Sequence, residues 1–206
     1  MENPFTLELQ DENFFDEETW SKIDTAAQTI DSRRGAIVIV VGEYGSGRST
    51  IIKEILTRCK AKPFFIAGNY LDQVRLIPNE AVEGNIVAVI ENAELLEGRL
   101  LKKIIEFVEK LSIAGVNFII EMTPEKLVDW LTDHIKKNSV IIKVPKLTLE
   151  EAKKLLITRL NKVREPSPSL EPFSEEEVKM LWEKSRGNPK LFLMLAGAIY
   201  EAKVKS

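Results

Sequence analysis

Short apolar runs rich in β-branched residues alternate along this chain with stretches whose apolar positions recur every third or fourth residue. The runs at 36–41, 63–67, 86–90, 116–122 and 140–144 are nearly continuous in Val, Ile, Phe and Ala. Continuity of that kind predicts strands buried on both faces, as in a parallel sheet covered by helices. Helical spacing falls between them, at about 49–59, 93–111 and 124–137. In the second stretch Leu100, Leu101, Ile104, Ile105, Val108 and Leu111 form one apolar stripe. Thr123-Pro124-Glu125 reads as the start of the third, with Thr123 as N-cap and Pro124 in the first turn.

The pattern changes after Pro145, and no further strand is predicted. Thr148 caps a helix to about residue 163, with Leu149, Ala152, Leu155, Leu156 and Leu160 on one face. A Pro/Ser loop follows at 165–169, and Ser174 with Glu177 has the capping-box spacing for a helix through Lys184. Gly187 stops that helix, and Asn188-Pro189 opens a last one to about residue 204. The expected organisation is an α/β core over 33–146, with a five-stranded parallel sheet flanked by helices, and a small C-terminal helical lid over 147–206. Residues 1–32 are less regular, and their Phe5, Phe14, Phe15 and Trp20 are expected to pack on the core.

One segment carries chemistry. Gly42-Glu43-Tyr44-Gly45-Ser46-Gly47-Arg48-Ser49 matches the phosphate-binding pattern G-x-x-x-x-G-K-[ST] at every defined position except the lysine. It follows an apolar strand and leads directly into an amphipathic helix from Thr50 onward. That arrangement aims backbone N–H groups and a helix N-terminus at an anion. Gly45 and Gly47 permit close backbone approach, and the Ser49 hydroxyl is placed to ligate a Mg²⁺ shared with the phosphates of ATP or ADP. The alternative is a Gly-rich strand-to-helix turn that binds nothing. Arg48 keeps the positive charge of the missing lysine, but its planar fork is longer and bulkier than an ammonium.

A second acidic site would close the third strand, in Ile90-Glu91-Asn92-Ala93-Glu94. Glu91 takes the Mg²⁺-side position, and Asn92 stands where a hydrolytic enzyme carries its water-activating carboxylate. An amide orients water but takes no proton from it at neutral pH. Glu94 is a substitute base one turn on; equally, Glu91 and Glu94 simply suit the start of a helix. Thr123 offers a hydroxyl to a γ-phosphate, although its reading as an N-cap is the stronger one.

Charge and composition narrow the rest. A net charge of −3 speaks against dependence on non-specific attraction to nucleic acid. One cysteine, Cys59, leaves no intrachain disulfide, and His134, the single histidine, lies on a polar stretch that predicts a surface residue. No apolar run approaches the roughly 20 residues needed to cross a bilayer, and the start Met1-Glu2-Asn3-Pro4-Phe5 does not read as a secretory leader. A cytoplasmic protein is expected. The abundance of Lys and Glu fits a heat-loving source or, as well, solvated helix faces.

Three segments resemble the AAA+ and related STAND-type ATPases, in particular archaeal origin-recognition ATPases and secretion-type AAA modules. They are the phosphate loop with its strand, Gly35–Thr50, the segment Val144–Leu156, which begins Val144-Pro145-Lys146-Leu147, and Ser185–Leu195, which begins Ser185-Arg186-Gly187-Asn188-Pro189-Lys190. The resemblance implies a P-loop NTPase core, a lid, and a nucleotide site of Gly42, Gly45, Ser46, Gly47, Arg48, Ser49 and Thr50, with Pro189 and Lys190 approaching from the lid. Lys190 is read equally well as an ordinary residue of an amphipathic helix. Ring-forming relatives carry an arginine finger before the fifth strand, where this chain has Lys136-Lys137-Asn138. The expectation is thus an ATP- or ADP-binding switch or scaffold for a protein partner, with Glu91 and Asn92 as altered catalytic positions and hydrolysis weak or absent. An active ATPase of a DNA-replication or remodelling assembly and a nucleotide-free scaffold are the alternatives.

Overall fold

The computed structural model describes residues 3–5, 15–67 and 86–205; Phe14 lies outside them. The chain divides into two compact units. An α/β unit comprises Glu17–Tyr44 and Arg48–Val144; a helical unit comprises Met1–Asp16, Gly45–Gly47 and Pro145–Ser206.

In the α/β unit five strands form one parallel sheet: β1 (Ile37–Val41), β2 (Lys62–Ala67), β3 (Ile86–Glu91), β4 (Asn117–Met122) and β5 (Ser139–Lys143). Their order is β2-β3-β4-β1-β5. All five strands expected from the sequence are present, with ends moved by a residue or so. The apolar runs predict burial correctly: every residue of β1 and β4 is buried, whereas the edge strand β5 is only partly covered. Register pairs Val41 with both Met122 and Lys143, which brings the carboxyl ends of the three strands level.

The helices of this unit are α1 (Glu17–Ser32), α2 (Arg48–Arg58), α3 (Gly98–Ile113), α4 (Leu127–Trp130) and α5 (Asp133–Asn138). One sheet face packs against Leu101, Ile104, Ile105 and Val108 of α3, Trp130 of α4 and Ile135 of α5. Helix α1 corrects the reading of residues 1–32 as irregular. It buries Ile23, Ala26, Ala27 and Ile30, a helical stripe in which two positions are only alanine, and Glu17 and Glu18 suit its N-terminus. Trp20 is half-buried beneath the Arg58 guanidinium, 4.7 Å from the ring centre. Asn117 ties three elements together. Its Oδ1 accepts from the Ala36 N–H at 2.9 Å, and its Nδ2 donates to the Ile30 carbonyl at 3.0 Å.

Two expected helices are broken. Residues 93–111 contain a 3-10 turn, Ala93–Leu95, then extended backbone before α3 begins at Gly98 with φ of 58°. Residues 124–137 contain the 3-10 turn Pro124–Lys126, then α4 and α5. The second break follows from Thr132, whose hydroxyl accepts from the Ile135 N–H and so starts a new helix. Thr123 occupies the N-cap position with extended backbone, but its side chain makes no capping bond.

The helical unit contains α6 (Leu149–Leu160), α7 (Glu175–Ser185) and α8 (Pro189–Lys205). Thr148 with Glu151 and Ser174 with Glu177 are both complete capping boxes. Leu155, Leu156, Leu160, Val178, Leu181 and Phe192 form its core, and Phe5 belongs to that core, edge-on to Phe173 and Tyr200. Arg164 closes the intervening loop by donating to the carbonyls of Ser167, Ser169 and Glu171.

Candidate functional site

The carboxyl ends of β1, β3 and β4 bring together the loop after β1, the turn after β3 and the last residues of β4. At such an edge of an open parallel sheet the loops leave the sheet and ligands bind. The loop is anchored at its start by the Gly42 N–H, which donates to the Met122 carbonyl at 3.1 Å. Gly45 and Gly47 have φ of 79° and 104°, conformations that an L side chain resists. Within the helical unit, which includes Gly45–Gly47, the Lys190 N–H donates to the Gly45 carbonyl at 3.2 Å. A Cβ at Gly45 would fall 2.7 Å from the Lys190 Cβ, so glycine is required there by packing as well as by φ. Lys190 therefore meets the loop through its backbone N–H and the base of its side chain, and Asn188 caps α8 by accepting from the Leu191 N–H at 3.1 Å. Pro189 is buried.

Arg48 departs from the picture drawn from sequence. It is the first residue of α2 and is buried, 5% exposed. Its Nη2 donates to Glu94 Oε1 at 2.9 Å in the α/β unit. Glu94 is thus an ion-pair partner of Arg48 through one of its two oxygens. Glu121, in β4, was missed as a site residue although it is the one charged side chain of that buried strand, a signal the sequence does contain. It is 3% exposed, and its Oε1 accepts from the Asn92 N–H at 3.2 Å. Burial pushes the Glu121 carboxyl up from the usual carboxylate range, opposed by the Arg48 charge and the Asn92 bond; Glu91 and Glu94 add to the upward push.

Asn92 has φ of 52° and ψ of 45°. Asparagine tolerates this left-handed conformation better than other non-glycine residues, so its presence at the position of a water-activating carboxylate has a backbone cause. Glu91 is half-buried at the end of β3, Ser49 is exposed and Thr50 is half-buried. Three buried polar atoms of the α/β unit close to this edge have no hydrogen-bond partner among the described residues: Arg48 Nη1, Glu94 Oε2 and Glu121 Oε2; in the helical unit Ser46 Oγ is also buried without one. Unpaired buried polar groups are costly, and an orphaned guanidinium nitrogen suits a phosphate oxygen. The residues thus fit a nucleotide. Among the described residues there is no cluster of three or more His, Cys, Asp or Glu able to hold a metal alone. A Mg²⁺ would take Ser49 and Glu91 together with phosphate and water oxygens.

Several other residues stand apart from this edge. His134 is half-buried, not on the surface, between Ser112 Oγ and Asn138 Nδ2 at 3.4 Å each. Ser112 itself donates to the Gly35 carbonyl at 2.8 Å, which puts this cluster at the amino end of β1. Lys136 and Lys137 are exposed on α5. The Glu125 N–H and, after it, the Thr123 hydroxyl lower the pKa of the Glu125 carboxyl.

The chain resembles solved structures of Thermotoga maritima RuvB, a Holliday junction branch migration motor. The TM-score is 0.65 at 17% identity, over 93% of this chain and 64% of that one. The fold is that of the AAA+ P-loop ATPases. A Walker-type ATPase of Pyrococcus abyssi shares it, with a TM-score of 0.59 at 12% identity over 92% of this chain and 69% of that one. No protein-family model matches the sequence, and no curated protein matches it. The chain spans less than two thirds of the length of RuvB. Among the described residues, no helix of this AAA+ fold is long and apolar enough to cross a membrane.

Proposed function

We propose that this chain is an AAA+-like module that binds ATP or ADP at the loop over 42–50 and hydrolyses it slowly or not at all. Gly42, Gly45, Ser46, Gly47, Arg48, Ser49 and Thr50 would hold the phosphates, with Ser49 and Glu91 on a Mg²⁺ that neutralises phosphate charge. The observation that carries this reading is the Arg48–Glu94 pair, 2.9 Å long beside a glycine loop with positive φ at Gly45 and Gly47. The loop retains what binding requires, while the cation that should follow charge on a γ-phosphate and the carboxylate that could activate water neutralise each other. With Asn92 at the usual position of the base, the carboxylate offered as its substitute, Glu94, is the one paired with Arg48. Nucleotide would then act as a ligand that sets the conformation offered to a protein partner, Pro189 and Lys190 linking the last helix to the loop.

A second reading is supported by the likeness to RuvB: a working ATPase of a DNA-processing assembly, completed by an arginine from a neighbour. Phosphate release from Mg-ATP, measured with and without duplex or junction DNA, separates the two. The first reading expects turnover near background in every condition, with ATP retained on the protein by equilibrium dialysis. Sustained turnover stimulated by DNA would sink it. If Arg48 and Asn92 are the altered positions, the double variant Arg48→Lys, Asn92→Glu gains activity over the parent.

A further inference from the structure

We propose that Glu94 is a latch on Arg48: a built-in counter-anion that competes with phosphate for the guanidinium and weakens nucleotide binding in the unaltered protein. The inference rests on the nucleotide-binding reading above and adds a residue that sets the affinity of that site.

Arg48 begins α2, so its Cα stands where the loop delivers the chain to the helix N-terminus. Its side chain nevertheless turns to the 3-10 turn after β3, where Nη2 meets Glu94 Oε1. The pair is largely dry: the Arg48 side chain is 5% exposed and that of Glu94 17%. The match is incomplete, since Arg48 Nη1 and Glu94 Oε2 are both buried without a hydrogen-bond partner among the described residues. A bidentate pair would use both ends of the fork. One nitrogen is thus engaged by an internal anion while the other is left unsatisfied, a state that a phosphate oxygen would relieve. Two further carboxylates stand by, Glu91 and Glu121, both close enough to act electrostatically on one another. Around Glu121 the one cation, Arg48, stands with two further carboxylates, Glu91 and Glu94. An incoming anion must displace Glu94 from Arg48 or meet a guanidinium already neutralised.

The arrangement makes a prediction opposite to that for an ordinary binding residue. Removing a carboxylate that helps to hold nucleotide or its metal weakens binding; removing a latch tightens it. Calorimetric titration with ATP, and with inorganic tripolyphosphate to isolate the phosphate contribution, in the presence and absence of Mg²⁺ distinguishes the cases. Glu94→Gln keeps the shape and removes the charge, and it is expected to bind both ligands at least tenfold more tightly than the parent. Glu94→Asp, which keeps the charge but shortens its reach by a methylene, is expected to fall between them. It also carries the test should Glu94→Gln fail to melt cooperatively. Equal or weaker binding by the variants, with the parent binding ATP, overturns the latch and leaves the nucleotide reading standing. Absence of binding by parent and variants alike overturns both. Binding by Glu94→Gln alone supports the latch in its strongest form.

Discussion

A guanidinium in place of an ammonium changes what the start of a phosphate-loop helix can do. Arg48 is long enough to reach a carboxylate on the turn after β3, and it is buried with Glu94 at 2.9 Å. Breaking such a pair from one side strands a buried charge. Arg48→Ala is expected to lower stability by about 3 kcal/mol, read from urea unfolding; a change under 1 kcal/mol would mean that water already solvates Glu94. Glu121 gives a pH signature. Its folded pKa is raised by burial above the 4.5 of the free group. The neutral form is therefore favoured by folding. Its contribution is full below pH 4.5 and is lost as pH rises through the folded value. Glu121→Gln keeps an oxygen for the Asn92 N–H and removes this titration. Its stability relative to the parent is expected to improve on going up from pH 4.5, and parallel urea profiles would refute the assignment. Asn92→Glu places a larger side chain at φ of 52° and is expected to cost about 1 kcal/mol, whereas Asn92→Gly is tolerated. The sequence shows Asn92 and Arg48 as departures from a motif. It does not show the cause of either, because a backbone angle and a partner 46 residues away along the chain are properties of the fold.

At the scale of elements, the strands were legible because burial on both faces leaves a continuous apolar run that no surface helix imitates. The capping boxes were legible for a similar reason, since Ser174 and Glu177 stand at a spacing that only one local geometry uses. The broken helices were not. Apolar positions on either side of the break at Leu131–Thr132 keep a helical period, and the signal that overrides it is a single hydroxyl on Thr132. Helix α1 escaped notice because alanines carry half of its buried stripe. The box that starts α6 should behave as a separable unit: Thr148→Ala is expected to cost about 1 kcal/mol, measured by thermal melting. Gly187 is less forgiving. Its φ is 73°, and a Cβ there would lie 2.8 Å from the Leu147 carbonyl oxygen, while its own carbonyl accepts from the Leu147 N–H. Gly187→Ala should cost at least about 1–2 kcal/mol, with loss concentrated in protection of amides in the helical unit.

For the whole molecule, the sheet order β2-β3-β4-β1-β5 places the phosphate-loop strand between β4 and β5. Glu91 and Glu121 thereby stand beside the end of β1 at one edge of the sheet. The likeness to RuvB is one of fold, and nucleotide binding at this loop is the proposal that thermal melting tests. Occupancy of the native state by a ligand at 100 times its dissociation constant stabilises it by about 2.7 kcal/mol. In a chain of this length that is a rise in melting temperature of roughly 5–10 °C. The direct test is a melting curve of nucleotide-free protein with and without millimolar Mg-ATP or Mg-ADP. A rise of that order with either nucleotide is expected, and an unchanged melting temperature with both would contradict the account.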